Sequence, residues 1–171
     1  MEQEEIDAQE RYREHIKNYA PRARTEVASR VLRFMKEANQ PVPSFPCDPG
    51  PNIRRLAAEL IIEEAMETVE ALGFRAAQVS GGKIELYGLE GENVFNLKES
   101  VDGMLDTIYV CHWGMNAMGV ADMLPMLEVC DSNDRKTGPG ATYNEHGKIQ
   151  KPPGWVGPDI EGALEVQKKL D

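Results

Sequence analysis

The chain has 171 residues, 41% of them hydrophobic, with 29 acidic against 19 basic side chains and a formal net charge of −10. That size suits one domain with a real core, and the hydrophobic share excludes a disordered chain. No apolar run approaches the roughly 20 residues that cross a bilayer, and a chain this acidic lacks the basic stripe of a general nucleic-acid binder.

The first residues, Met1 to Asp7, are acidic and show no signal-peptide pattern. Cys47, Cys111 and Cys130 are scattered, with no CxxC pair. That pattern argues against a disulfide framework or a zinc site and fits a reducing cytosol. A soluble, cytoplasmic protein with neither membrane nor nucleic-acid partner is expected.

In chain order, residues 3–19 read as a polar helix with sparse apolar positions, Ile6, Tyr12, Ile16 and Tyr19, stopped by Pro21. A better amphipathic helix follows at about 23–38 with Val27, Val31, Leu32, Phe34 and Met35. Residues 40–51 hold too many prolines to be helical and form a semi-rigid connector. A strong helix covers about 53–72 and stops at Gly73. At about 76–88, Gly81 and Gly82 separate two short alternating runs, a hairpin signal. A second strong helix spans about 96–118 up to Gly119, and another about 121–131. Residues 134–158, rich in Gly, Pro and Lys, read as a loop, and a last short helix covers about 159–170. The sum is one all-α domain over 1–171 with a small β-hairpin insert.

Two helices carry acids where apolar residues belong. At 100° per residue, Ile53, Leu56, Ala57 and Leu60 define an apolar face, and Glu64 and Glu67 fall on that face one and two turns on. Glu59, Glu63 and Glu70 lie along its polar edge. On the second helix Leu97, Val101, Met104, Ile108, Cys111 and Met115 form an apolar face. Glu99, Asp102 and Asp106 cluster on the opposite side, which runs on into Tyr109, Trp113 and Ala117. One Glu-rich helix is ordinarily a solvated surface. Two helices that both set acids in line with apolar or aromatic residues lose hydration and gain repulsion, and something must offset that cost. Four or five carboxylates facing one cavity suit Mg²⁺ or Mn²⁺, which take hard oxygen ligands, rather than zinc.

The basic residues concentrate elsewhere: Arg135, Lys136, Lys148 and Lys151 fall in the Gly/Pro-rich stretch after Glu128. Taken alone they would be solvated loop lysines in an otherwise acidic chain.

At these residues the chain resembles the MazG-like all-α nucleotide pyrophosphohydrolases. Glu63, Glu64 and Glu67 match that superfamily's EExxE signature, and Glu99 with Asp102 its ExxD. The stretch Asp102 to Val110 is similar to the family's second helix, where an Asp precedes an apolar run. The metal-binding Asp therefore maps onto Asp102 by spacing from Glu99, or onto Asp106 by the apolar run after it, with Gly103 then standing where an acid is usual. Asn133, Lys136 and the run from Gly147 through Lys148 and Lys151 to Trp155 resemble the family's phosphate-binding segment. The likeness covers about 30–158 and leaves the helix at 3–19 outside.

The resemblance implies an oligomeric helical bundle, a homodimer or homotetramer. Glu64, Glu67, Glu99, Asp102 and Asp106 would hold two or three Mg²⁺ or Mn²⁺ ions, with Glu63 as general base. Lys136 would act in catalysis and, with Asn133, Arg135, Lys148 and Lys151, bind the nucleotide. The α–β bond of a nucleoside triphosphate would be cut, releasing pyrophosphate. The connector resembles phage and bacterial deoxynucleotide enzymes, which favours a purine substrate, dGTP or dATP, over dUTP; a phage protein would act in the host cytoplasm. Phosphoribosyl-ATP pyrophosphohydrolases are shorter and lack the Pro-rich entry and hairpin. Trp113, two turns beyond Asp106, is expected to stack the base or to be a core tryptophan, and Trp155 to stack or anchor its loop. The alternatives are a dUTP pyrophosphatase and a non-catalytic, metal-binding helical regulator.

Overall fold

Pro51 and Gly73 bracket the first of the two acid-bearing helices, and both do so for backbone reasons. The computed structural model describes residues 20–79, 81–91, 94–138 and 140–169, so the helix expected at 3–19 lies outside them. Among the described residues the order is α1 (Glu26–Glu37), α2 (Pro51–Ala71), β1 (Phe74–Gln78), β2 (Ile84–Gly88), α3 (Leu97–Ala117), α4 (Met123–Asp134) and α5 (Ile160–Lys168). Pro51 sits in the first turn of α2, where its missing N–H costs nothing. Gly73, at φ +90°, ends that helix in the left-handed region that side chains avoid, and its N–H reaches the Glu70 carbonyl at 2.9 Å. Asn96 opens α3 by accepting the Glu99 N–H at 3.2 Å, and Asp159 opens α5 by accepting that of Gly162 at 2.8 Å.

The expected hairpin is present. β1 and β2 pair antiparallel with Phe74 opposite Gly88 and Gln78 opposite Ile84. Gly81 and Gly82 both take positive φ at the tip, as the twist of a tight hairpin requires, and Val79 N–H closes it onto the Lys83 carbonyl at 2.8 Å.

The chain divides into two compact units. One comprises Val27–Pro43 and Asp48–Met118; the other comprises Ser44–Cys47 and Gly119–Asp171 with the segment ending at Glu26. The breaks fall at the first residue of α1, in the Pro-rich connector and at Gly119.

In the first unit the core is Val31 and Met35 of α1 with Trp113 and Ala117 of α3; Val42, Ile53, Ala57 and Leu60 pack against it. Trp113 is only 6% exposed, and its indole N–H donates to Gln40 Oε1 at 2.8 Å. Connector residues thus serve the core twice, through Val42 and Gln40. Buried Asn116 ties α3 to α1 by donating to the Ala28 carbonyl at 3.1 Å. The edges of the predicted α1 face are open, since Val27 and Phe34 are exposed and Phe34 meets Tyr109 edge-on, with centroids 6.3 Å apart.

The second unit has a small apolar core, Ala121, Leu124 and Ala163, and is held largely by buried polar bonds. The Gln167 amide donates to the Ala121 carbonyl and accepts its N–H, both at 2.9 Å. Asp122 accepts the Thr25 N–H and hydroxyl at 2.9 and 2.7 Å. Glu128 accepts the Asp159 N–H at 3.0 Å; burial raises its carboxyl above the ordinary range, which that hydrogen bond opposes. No described helix is long and apolar enough to cross a membrane.

Because Trp113 fills the first core and has its polar atom satisfied, Trp113→Ala is expected to cost about 3–5 kcal/mol. Chemical denaturation followed by circular dichroism measures it; a loss below about 1 kcal/mol would show that the indole contributes little to the core.

Candidate functional site

The two acid-bearing helices lie against each other in a register readable from their small residues. Gly103 of α3 meets Thr68 of α2, Gly114 meets Ala57, and the Asn96 N–H donates to the Ala71 carbonyl at 2.9 Å. Moving toward the C-terminus of α3 therefore moves toward the N-terminus of α2: the helices are antiparallel. At the closest point a Cβ on residue 103 would stand 2.6 Å from Thr68 Oγ1 and 3.1 Å from Thr68 Cα. Only glycine fits there, so the position where the resembled family usually has an acid has no room for one. Both threonines at this seam turn their hydroxyls inward, Thr68 onto the Glu64 carbonyl at 2.7 Å and Thr107 onto that of Gly103 at 2.8 Å.

One turn before Thr68 on α2 stands Glu64, and either side of the glycine on α3 stand Asp102 and Asp106. This register brings the acids of the two helices into one field. Glu64 is half-buried; its carboxyl is raised above the ordinary glutamate value by lost hydration first, then by the charges of Asp106, Glu67, Glu63 and Asp102. Three of the other predicted ligand acids, Glu67, Asp102 and Asp106, and the predicted base, Glu63, thus all act on Glu64. Glu99 is not among the charges raising Glu64. It pairs instead with Lys98 at 2.8 Å, which also feels Asp102. Among the described residues, ion pairs in this unit engage Asp48, Glu59, Glu70 and Glu99.

Among the described residues no three His, Cys, Asp or Glu side chains are already gathered tightly enough to hold a metal ion. The donor chemistry nevertheless fits Mg²⁺ or Mn²⁺. All five groups are hard oxygen donors, and Glu63, Glu67, Asp102 and Asp106 are exposed on long or short arms free to turn. Mg²⁺ keeps several waters and takes one or two carboxylates together with substrate phosphates, so no closed protein cage is needed.

Of the two roles expected for Trp113, the structure bears out the core tryptophan and not the stacking floor, so neither ring face is free to stack a base in this chain. A second expectation changes. The face of α3 expected to be its core side is the open one: Leu97 is 67% exposed and Ile108 48%, with Val101 and Met104 also exposed. The buried side carries Ser100, Gly103, Val110, Trp113 and Ala117. The reason is steric, because the backbones approach where residues are smallest, not where they are most apolar. Leu56, expected on the inner face of α2, is exposed for the same reason that Ala57 is not.

The predicted phosphate-binding residues belong to the other unit. Asn133, on the last turn of α4, donates to the Val129 carbonyl at 2.8 Å and accepts from Lys136 Nζ at 2.6 Å. Lys136 and Lys151 both place their ammonium groups over the Trp155 ring, 5.0 and 4.2 Å from its centroid. Trp155 anchors its loop as expected, through its indole N–H on the Ser132 carbonyl at 2.7 Å. Arg135 reaches the Val156 and Gly157 carbonyls at 3.4 and 3.5 Å. Lys148 stands apart in an exposed turn built on Asn144 and closed by the Tyr143–Ile149 bridge. Sequence reasoning missed that Trp155 gathers two of the four cations; the signal was the short spacing from Lys151 to Trp155.

Comparison with known proteins finds no family model and no curated sequence that matches this chain.

Folding raises the Glu64 pKa, so the ionised carboxylate destabilises the fold. That penalty is fully present above the raised value and vanishes below the ordinary value of 4.5. Glu64→Gln should therefore melt above the wild type at neutral pH in EDTA, with the gap closing as the pH falls towards 4.5. Thermal melts across pH measure this; equal or lower melting of the variant at pH 7 would remove the repulsion.

Proposed function

We propose that this chain is a Mg²⁺- or Mn²⁺-dependent nucleoside triphosphate pyrophosphohydrolase of the MazG-like kind, releasing monophosphate and pyrophosphate. The observation that carries the reading is the meeting of Glu63, Glu64 and Glu67 with Asp102 and Asp106 across an antiparallel helix pair. Like charges gathered where hydration is lost are costly, and a divalent ion with a polyphosphate offsets that cost.

In this reading Glu64, Glu67, Asp102 and Asp106 hold the ions, with Glu99 the outlying candidate because Lys98 engages it. Two or three such ions, when bound, neutralise phosphate charge and make water more acidic. Glu63 is exposed beside Glu64 and accepts the proton of the attacking water. Asn133 and Lys136 donate to phosphate oxygens, and Arg135, Lys148 and Lys151 add positive field in a chain of net charge −10. Base choice rests on the resemblance, which favours dGTP or dATP; the buried Trp113 lends it no stacking surface.

A homodimer or homotetramer belongs to the same proposal. Leu97, Val101, Met104 and Ile108 alternate in steps of four and three, the spacing of a helix–helix seam, and all are exposed in the single chain. Three free cysteines suit a cytoplasmic setting.

The test is pyrophosphate release from a panel of dATP, dGTP, dCTP, dTTP and dUTP with Mg²⁺, with Mn²⁺, and with EDTA. Release is expected for purines first, abolished by EDTA and lowered about 100-fold or more by Glu67→Gln. Turnover of dUTP alone would make the chain a dUTP pyrophosphatase. Metal binding without release of pyrophosphate from any member would leave a non-catalytic regulator and overturn the hydrolase.

A further inference from the structure

Two ammonium groups normally avoid each other. Lys136 and Lys151 instead converge on one ring, and the distance between them cannot exceed the sum of 5.0 and 4.2 Å. The ring itself is fixed. Its indole N–H is spent on the Ser132 carbonyl at 2.7 Å, which ties the loop to α4, and the side chain is half-buried. Lys136 is fixed a second time, by Asn133 Oδ1 at 2.6 Å, and Asn133 is itself held to the Val129 carbonyl. The electron-rich π-system of an indole attracts both cations and lowers the cost of bringing them together. Nothing acidic is needed to hold them, so their charge stays available to a ligand.

We propose that Trp155 is a positioning residue that sets Lys136 and Lys151 as one diphosphate-binding pair, the seat of the pyrophosphate group. This deepens the hydrolase reading and rests on it for the source of the ligand. The chemistry recognised is a diphosphate, whose two phosphorus centres carry more charge and more acceptor oxygens than a single phosphate and so engage both ammonium groups more strongly. Asn133 contributes by orienting Lys136, and Lys148, off in its own turn, is not part of the pair.

The experiment measures binding of inorganic pyrophosphate and of inorganic phosphate to the full chain by calorimetry in EDTA. Wild type is compared with Lys136→Met, Lys151→Met, Trp155→Leu and Trp155→Phe. Pyrophosphate is expected to bind more tightly than phosphate. Each lysine variant should weaken it about ten-fold, the scale of one charge-assisted contact. Trp155→Leu should weaken it at least as much, whereas Trp155→Phe keeps a π-face, loses the Ser132 hydrogen bond, and should retain most of the affinity. In the Trp155→Leu, Lys136→Met double variant the loss should be smaller than the product of the two single losses. Should Trp155→Leu fail to fold, the tryptophan emission decides: pyrophosphate should change it in wild type and not in Trp155→Phe. Wild-type affinity in Trp155→Leu, strictly multiplicative losses, or an emission change that persists in Trp155→Phe would each overturn the proposal. Because no turnover is involved, pyrophosphate binding with this pattern in a chain that hydrolyses no triphosphate would sink the hydrolase alone. Hydrolysis with an unchanged KM in Trp155→Leu would sink the positioning role alone.

Discussion

The close approach of α2 and α3 at Thr68 and Gly103 sets the electrostatics of the first unit. Two backbones can come this near only where one side chain is absent, and that nearness is what puts Asp102 and Asp106 within the field of Glu64. A larger residue at 103 would spread the helices and relax the repulsion among the acids. The strain is tolerated because the pair is locked at its other end by Trp113, Ala117, Ala57 and Ile53 around Val31 and Met35. Burial there works against charge repulsion near Glu64, and a fold stable by a small margin carries both. The destabilised end is the one where the acids of the two helices gather, and the proposed cation site would set function against stability there.

The second unit solves the opposite problem, holding positive charge in an acidic chain. Its apolar core is small, and buried polar side chains, Gln167, Asp122 and Glu128, bridge segments far apart in sequence. These bonds hold α4 and α5 while the loop between them is anchored by Trp155. The indole then serves two ends, one atom fixing the loop and the ring gathering two ammonium groups.

Much of the fold was legible. Helix limits came from the Pro-rich connector, Gly73 and Gly119, and the hairpin from the paired glycines at 81 and 82, because these residues act through local backbone chemistry that sequence displays directly. The acid pattern was legible for a related reason: Glu64 and Glu67 in line with Ile53 and Leu60 break the amphipathic rule of a surface helix. What periodicity could not supply was which side of α3 meets α2. Leu97, Val101, Met104 and Ile108 are the more apolar side, yet Gly103 decides the contact, since helix packing answers to shape before hydropathy. The same limit left Trp113 open between pocket and core, since its partner Gln40 is 73 residues away. It also hid the cation pair on Trp155, which depends on how a loop folds back.

The central claim is that acids of α2 and α3 bind one divalent centre together. Mn²⁺ binding to the full chain, read from the loss of the free-ion signal in electron paramagnetic resonance, tests it without reference to substrate. Saturable binding is expected, weakened at least about ten-fold by Glu64→Gln and by Asp106→Asn, with the double variant losing less than the product of the two because both ligate the same ion. Absence of saturable Mn²⁺ binding, or affinity unchanged in both single variants, would contradict it.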